Sequence, residues 1–153
     1  MENLVLNKQV AVTFDHGGFE LGQHIISFLQ AQGFAVANVG TPNVKSCNFG
    51  DYAQNLANWL LANPKSWGIG ICGSGQGISM ALNRFGHVRS ALCHDGTTAK
   101  LARLHNNANV LALGGRLTTP YMAEIIVHIF ATTAFEGGRH VPRLEQLEGL
   151  GHR

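Results

Sequence analysis

The stretch from Trp67 to Met80, WGIGICGSGQGISM, constrains the fold of this chain more than any other. An apolar run that ends at Cys72 enters a five-residue turn with three glycines and then resumes as an apolar segment. This pattern predicts a buried strand, a glycine-rich turn and a helix that starts in the turn. Such a turn directs several backbone N–H groups and the positive end of the helix dipole at one point. We therefore expect an anion-binding turn beside Cys72, where the helix terminus favours the thiolate form of a thiol.

Strand-like and helix-like segments alternate along the rest of the chain. Strands are predicted over residues 9–15, 34–39, 67–72, 88–93 and 109–113. Helices are predicted over residues 19–32, 51–62 with Asp51 as N-cap, 97–105, 120–132 and 139–150. At 153 residues the chain is expected to form one domain, residues 1–153. The alternation predicts a Rossmann-like, three-layer α/β/α sandwich with a five-stranded parallel sheet.

Composition and charge exclude several classes of partner. The formal net charge is only +2 and no basic run occurs, so nucleic acid and membrane surfaces are not expected partners. Three cysteines form neither an even framework nor a CxxC pair, and no secretory signal precedes residue 9, which together predict a reduced, cytoplasmic chain. Charged residues make up only 13% of the chain, which suggests that a partner subunit covers part of the surface.

Candidate functional residues follow the predicted strands at their carboxyl ends, where α/β sheets bind ligands. Asp15 and His16 follow the first strand, Cys72 ends the third and Arg116 follows the fifth. The Asp15–His16 pair is compatible both with a cap and turn and with a site that binds hydroxyl groups. Cys93 also ends a strand, and there a buried, inert thiol is the simpler interpretation.

The glycine turn fits an anion or oxyanion site better than a nucleotide site. Its spacing is GxGxG rather than GxGxxG, and no Lys-Ser/Thr pair follows it. His105 and Asn106 have the composition of a helix terminus, although His105 could also act as an acid or base. Arg139 and Arg143 are ordinary surface residues or, on one helix face with His140 nearby, a phosphate clamp. The eight histidines show no tight ligand spacing, so no metal site is expected.

Four separated motifs together resemble the type B ribose-5-phosphate isomerases and related sugar-phosphate isomerases. They are DHGGFELG at Asp15, GIGICGSGQGISMALNR at Gly68, ARLHNNANVLALGGR at Ala102 and FEGGRHVPRLEQL at Phe135. The resemblance runs from about Val10 to Glu148. It implies that the chain interconverts D-ribose 5-phosphate and D-ribulose 5-phosphate through an enediolate, without metal or organic cofactor.

The resemblance also implies roles for individual residues. Cys72 corresponds to the base that moves the proton between C1 and C2, and His105 to the acid/base that opens the sugar ring. The Ser74 hydroxyl and the turn amides are implied to bind the enediolate oxygens. The implied substrate ligands are Asp15, His16, Gly73, Gly75, Gln76, Gly77, Asn106, Arg116, Arg139 and Arg143. The family forms dimers or dimers of dimers with shared sites, so segment 135–150 is expected to pack on a partner subunit. The resemblance implies that His105 of one chain acts in the site that contains Cys72 of the other chain.

Two positions separate this chain from some relatives. Ile78 stands where one branch of the family has a glutamate base, so the chain resembles the cysteine branch. The loop that often reads DYPxYA in relatives is Asn48-Phe49-Gly50-Asp51-Tyr52-Ala53 here, and Phe49 lacks the tyrosine hydroxyl. A hexose 6-phosphate such as galactose or allose 6-phosphate is therefore an alternative substrate, and a non-catalytic sugar-phosphate-binding domain is a second alternative.

Overall fold

A parallel sheet of five strands lies at the centre of the computed structural model, which describes residues 1–150. Residues 151–153 of the predicted domain lie outside the described part. The strands, in the spatial order β2-β1-β3-β5-β4, are β1 Gln9–Phe14, β2 Ala35–Asn38, β3 Trp67–Cys72, β4 Ser90–Leu92 and β5 Val110–Gly114. The helices are α1 Phe19–Ala31, α2 Phe49–Ala62, α3 Gln76–Leu82, α4 Gly96–Asn106, α5 Pro120–Thr132 and α6 Val141–Glu148, with a 3₁₀ turn at Gly138–His140. The predicted five-stranded parallel sheet and the α/β class are confirmed.

The alternation of residue size along β3 explains how the two helical layers pack. Ile69 and Ile71 face the layer of α1, α4 and α5, where they are fully buried with side chains such as Phe130. Each side chain of this size contributes about 1.5–3 kcal/mol when buried. Gly68 and Gly70 face α2 and α3, and a Cβ atom at Gly68 would lie 2.7 Å from a methyl group of Leu56. The glycines therefore let these helices approach the sheet closely.

Two helices start two residues away from the predicted positions. α2 begins at Phe49 with Asn48 as its N-cap, so Asp51 is not the N-cap but lies in the first turn. Its carboxylate there still interacts favourably with the positive end of the helix dipole. The predicted helix 139–150 is a 3₁₀ turn followed by α6, which starts only at Val141. Pro142 accounts for this start because its missing N–H is tolerated only in the first turn of a helix.

The topology gives the sheet two functionally distinct edges. All strands are parallel, so Asp15, Gly73 and Gly115 follow their strands at one edge, which we call the carboxyl edge. Helix α4 connects the end of β4 to the start of β5 and therefore runs from the carboxyl edge to the opposite, amino edge. The direction of the connections changes between β1 and β3, the position where open α/β sheets form ligand crevices. Among residues 1–150, no helix has the length and apolar character to cross a membrane.

Candidate active site

A cavity of about 370 Å³ opens at the carboxyl edge, between the ends of β1, β3 and β5. Its lining contains Asp15, His16, Gly17, Phe49, Cys72, Gly73, Ser74, Gly77, Arg116 and Leu117. Residues that are far apart in sequence meet here because parallel strands end at the same edge. The sequence-based grouping of Asp15, Cys72 and Arg116 therefore corresponds to one cavity in the structure.

The glycine turn after β3 leaves several backbone donors free. The N–H groups of Gly73, Ser74, Gly75 and Gly77 donate to no acceptor within residues 1–150, whereas that of Gln76 donates to Ser74 Oγ at 3.3 Å. Free amides clustered at a helix start are the arrangement that binds anions.

Gly75 has a structural role in this turn and does not line the cavity. It is the N-cap of α3 in the left-handed conformation, with φ of +79°. A Cβ atom there would lie 2.8 Å from the Leu113 carbonyl carbon and 2.5 Å from a Leu92 methyl group. Only glycine fits both the conformation and the space. Gln76 is exposed and is likewise absent from the lining, so neither residue offers a side chain to the cavity.

Cys72 lies at the floor of the cavity and is fixed by the β3–β5 connection. It is 5% exposed, and its carbonyl accepts a hydrogen bond from Gly115 N–H at 2.8 Å. The next carbonyl, of Gly73, accepts from Arg116 N–H at 3.0 Å. The Arg116 guanidinium lies over the turn: a Cβ atom at Gly73 would be 3.3 Å from Arg116 Nη1. A thiol, free amides and a cation thus share one small volume.

Cys93 differs from Cys72 in its surroundings. It is buried, lies outside the cavity, and burial raises the pKa of its thiol to about 11. It therefore stays protonated at neutral pH, in agreement with its interpretation as an inert thiol. All three cysteines are free.

Asp15 and His16 are held by local hydrogen bonds. Asp15 Oδ1 accepts the N–H groups of Gly17 at 2.8 Å and Gly18 at 3.1 Å. His16 Nδ1 accepts the N–H of Cys47 at 3.2 Å, so the neutral imidazole carries its proton on Nε2. The Cys47 thiol lies 3.8 Å from the same nitrogen. The sequence did not indicate Cys47 as a site residue. Its contact with His16 joins residues 31 positions apart and depends on the path of the loop that precedes α2.

The remaining predicted site residues form a second group at the other end of the sheet, which we call the amino-edge cluster. Its members are His105, Asn106, Glu136, Arg139, His140 and Arg143. The imidazole rings of His105 and His140 stack with centroids 4.5 Å apart and an angle of 16° between planes. Glu136 Oε2 lies 3.7 Å from His105 Nε2 and 3.4 Å from His140 Nε2. Glu136 is a further residue that sequence reasoning did not single out.

Within one chain, the amino-edge cluster cannot reach Cys72. Helix α4 has 11 residues and carries His105 in its last turn. At about 1.5 Å per residue, it places His105 roughly 15 Å from the carboxyl edge. The structure therefore brings Asp15, His16, Cys72 and Arg116 together, and it separates them from His105, Asn106, Arg139 and Arg143.

The amino-edge cluster also contains potential metal ligands that residue spacing did not indicate. Ligand atoms of His105, Glu136 and His140 lie within 4.8 Å of one another. The nitrogen lone pairs of the stacked rings lie in nearly parallel planes, however, so they do not converge on one ion unless a ring tilts. The observed geometry fits a stacked acid–base group better than a chelate.

Comparison with known proteins agrees with the fold and the motifs. Residues 10–147 match the family described as Ribose/Galactose Isomerase. The chain is 36% identical to ribose-5-phosphate isomerase B of Escherichia coli, over 95% of this chain and 98% of that protein. A Thermotoga maritima ribose 5-phosphate isomerase structure superposes with a TM-score of 0.91 at 39% identity, covering 93% of this chain and 98% of that one.

A third comparison concerns a structure with a ligand. Ribose-5-phosphate isomerase B of Mycoplasma genitalium with bound ribulose-5-phosphate superposes with a TM-score of 0.87 at 36% identity, covering 92% of this chain and 93% of that one. The family match covers most of the chain, and the relatives match over nearly their full length. The chain is therefore a sugar-phosphate isomerase that belongs to the ribose/galactose isomerase family.

Proposed function

We propose that the chain interconverts D-ribose 5-phosphate and D-ribulose 5-phosphate through an enediolate, with Cys72 as the base. The observation that carries this proposal is the position of Cys72 at the cavity floor beside the free amides of the glycine turn. The names of the E. coli and T. maritima relatives support the pentose phosphate as substrate.

The chemistry requires a base, an oxyanion site and a return path for the proton. Cys72, as thiolate, takes the proton from C2 of the open-chain aldose, and the bonding pair forms the C1=C2 double bond. The carbonyl oxygen gains negative charge, which the amides of the glycine turn and the Ser74 hydroxyl stabilise. Cys72 then returns the proton to C1 while a proton moves from O2 to O1, which leaves the ketose.

Ribose 5-phosphate must open before C2 becomes acidic. In ring opening the C1–O4 bond breaks, O4 keeps the electron pair and takes a proton, and the anomeric hydroxyl loses its proton as C1 becomes an aldehyde. We assign the protonation of O4 to His105, an imidazole that is 38% exposed and lies at the end of α4. Asp15 and His16 contact the sugar hydroxyls.

These two steps can share one site only if a second chain contributes to it. The distance along α4 separates His105 from Cys72 of the same chain. We therefore propose a homodimer, or a dimer of dimers, in which the amino-edge cluster of one chain covers the cavity of its neighbour. A groove of about 740 Å³ along β4, lined in part by Leu92, Leu101 and Leu147, supports a partner on this side of the molecule.

The proposed dimer also gives the phosphate group a binding site. Arg139 and Arg143 are exposed and form no ion pair with a carboxylate within residues 1–150. Asn106 and Arg116 complete the set of substrate ligands. Guanidinium groups bind phosphate through charge-assisted, often bidentate hydrogen bonds.

A hexose 6-phosphate is a second candidate substrate because of Phe49. Its ring packs against Gly77, where a Cβ atom would lie 2.7 Å from Phe49 Cε1, and it lines the cavity. It thus forms an apolar wall, without a hydroxyl, next to the bound sugar.

One series of assays tests the reaction, the substrate and the base. Wild type, Cys72→Ala and Cys93→Ala are compared on ribose 5-phosphate, galactose 6-phosphate and allose 6-phosphate, with the fold of each variant verified by circular dichroism. We expect the highest kcat/KM on ribose 5-phosphate, a loss of about 10²–10⁴ in kcat for Cys72→Ala, and near-wild-type rates for Cys93→Ala. A folded Cys72→Ala chain with full activity contradicts the thiol base, and preference for a hexose 6-phosphate contradicts the proposed substrate.

A further inference from the structure

We propose that His140 and Glu136 are positioning residues for His105: they fix the plane and direction of its imidazole for ring opening. The proposal rests on the proposed ring-opening role of His105. It adds two residues that do not themselves contact the sugar in the assigned chemistry.

The backbone after α5 is built to bring residue 140 back to the end of α4. The Glu136 N–H donates to the carbonyl of Leu104 at 3.0 Å, directly before His105. Gly137 and Gly138 follow with φ of +68° and +54°, conformations that other residues rarely adopt. The His140 N–H then donates to the Gly137 carbonyl at 3.1 Å. This tight reversal accounts for the Glu-Gly-Gly-Arg-His order of the segment.

The stacked pair combines one fixed ring with one accessible ring. The His140 side chain is only 5% exposed, whereas that of His105 is 38% exposed. The rings stack at 4.5 Å between centroids, so the buried ring supports the exposed one and restricts its rotation. An imidazole held in one plane reaches the O4 atom of a sugar bound in the neighbouring chain's cavity, and no rotamer entropy has to be lost at each turnover.

His140 also carries an unusual polar atom. Its Nε2 is buried and makes no hydrogen bond within residues 1–150, although the Glu136 carboxylate lies 3.4 Å away. Packing alone does not explain a histidine here, because a buried nitrogen without a partner costs stability that an apolar ring would not. The carboxylate oxygen Oε2 lies beside Nε2 of both rings, at 3.4 and 3.7 Å, and so favours the ring orientations that direct Nε2 toward it.

Substrates that cannot form a ring separate positioning of His105 from general structural support. Ribose 5-phosphate closes a furanose through its O4 hydroxyl. In erythrose 4-phosphate O4 is esterified, so the sugar is open-chain and needs only the enediolate step. In ribulose 5-phosphate O5 is esterified, and that ketose is open-chain as well.

The test therefore compares variants on ring-forming and open-chain substrates. We expect His140→Leu and Glu136→Gln each to lower kcat on ribose 5-phosphate by about tenfold, a part of the 10²–10⁴ that acid–base catalysis supplies. Turnover of erythrose 4-phosphate should change less than about threefold. Exchange of the C1 hydrogen of ribulose 5-phosphate with solvent deuterium, which requires only the enediolate, should likewise change less than about threefold. His140→Phe keeps a ring to stack on but has no nitrogen beside Glu136, so it should recover only part of the ribose 5-phosphate rate. His128→Leu, at an exposed histidine of α5, is the matched control and should match wild type.

Two results would overturn the proposal. Equal losses on all substrates would show that His140 and Glu136 support the structure only, and unchanged rates on ribose 5-phosphate would show that they have no role. His105→Ala serves as the reference: if it too slows open-chain and ring-forming sugars equally, the ring-opening assignment and the positioning proposal both fail. Inactivity of wild type on every pentose phosphate would instead contradict the proposed function itself.

Discussion

Arg139 and Arg143 form the proposed phosphate site at the scale of single residues. Each exposed guanidinium lacks a carboxylate partner within residues 1–150, so a phosphate meets no competing internal anion. We expect Arg139→Ala and Arg143→Ala to raise KM by about ten- to a hundredfold with a smaller change in kcat, because a contact to phosphate persists from ground state to transition state. Steady-state kinetics on ribose 5-phosphate measures the two constants separately.

A matched control for this prediction removes one positive charge elsewhere. Lys65 is exposed between α2 and β3 and lines neither the cavity nor the groove along β4, so Lys65→Ala should leave KM unchanged. A KM as low as wild type in both arginine variants would remove these residues from the phosphate site, and an equal rise in Lys65→Ala would indicate a general charge effect.

The sequence identified site residues at the ends of strands but not those whose contacts depend on the path of a loop. Asp15, Cys72 and Arg116 could be grouped from the sequence, since the end of a parallel strand defines a position at a known edge. Two contacts could not be predicted from the sequence. The loop before α2 brings Cys47 to His16, and the glycine reversal after α5 brings Glu136 to His105. Strand periodicity carries no information about such connections.

At the scale of elements, helix α4 spans the molecule from one edge to the other and carries His105 at its end. Its start is fixed by a capping box, in which Asp95 accepts the Thr98 N–H at 2.7 Å and the Thr98 hydroxyl reaches back to the Asp95 N–H. The hydrogen bonds from Thr98 lower the pKa of the Asp95 carboxyl below its usual value. Its ionised form is thus favoured by folding.

This cap makes the stability of α4 depend on pH in a defined direction. A carboxyl whose pKa is lower in the folded state stabilises the fold above the unfolded pKa, and the effect is lost as the pH falls through the folded value. We expect Asp95→Ala to lower Tm by about 2–4 °C at pH 7, with the difference from wild type shrinking toward pH 2. Thermal unfolding monitored by circular dichroism measures both. Asp51→Ala, which removes an acid from the first turn of α2, should cause a smaller loss at pH 7. A difference for Asp95→Ala that is equal at both pH values would contradict the assignment.

Observed element boundaries agree best with the predicted ones where a residue restricts the backbone conformation. α5 starts at Pro120 and ends at Thr132 as predicted, because Thr119 caps it through the Met122 N–H and proline fits the first turn. α2 started earlier than predicted, since Asn48 and Asp51 are both good N-cap types and propensity alone does not rank them. The end of the chain was predicted as one helix because composition does not show the 3₁₀ turn that glycine conformations impose.

At the scale of the whole molecule, the division into two edges is the feature with the largest consequence. The parallel order β2-β1-β3-β5-β4 places the cavity and the amino-edge cluster at opposite ends of one sheet. Sequence alternation predicted the strands, but the distance between Cys72 and His105 follows only from the direction of α4. A two-fold dimer interface presents the same patch twice, so it can bring each cluster to the other chain's cavity.

Subunit mixing tests this arrangement directly. When Cys72→Ala and His105→Ala chains are unfolded together and refolded in equal amounts, a shared site predicts that each mixed dimer has one intact site and one doubly defective site. Random pairing makes half of all dimers mixed, so roughly one quarter of wild-type activity should return. The control mixture combines Cys72→Ala with Arg116→Ala, two residues of the same cavity, and should restore nothing, because every site keeps one defect. Native mass spectrometry verifies that mixed dimers formed; if they form and stay inactive in the first mixture, Cys72 and His105 do not serve a site built from two chains.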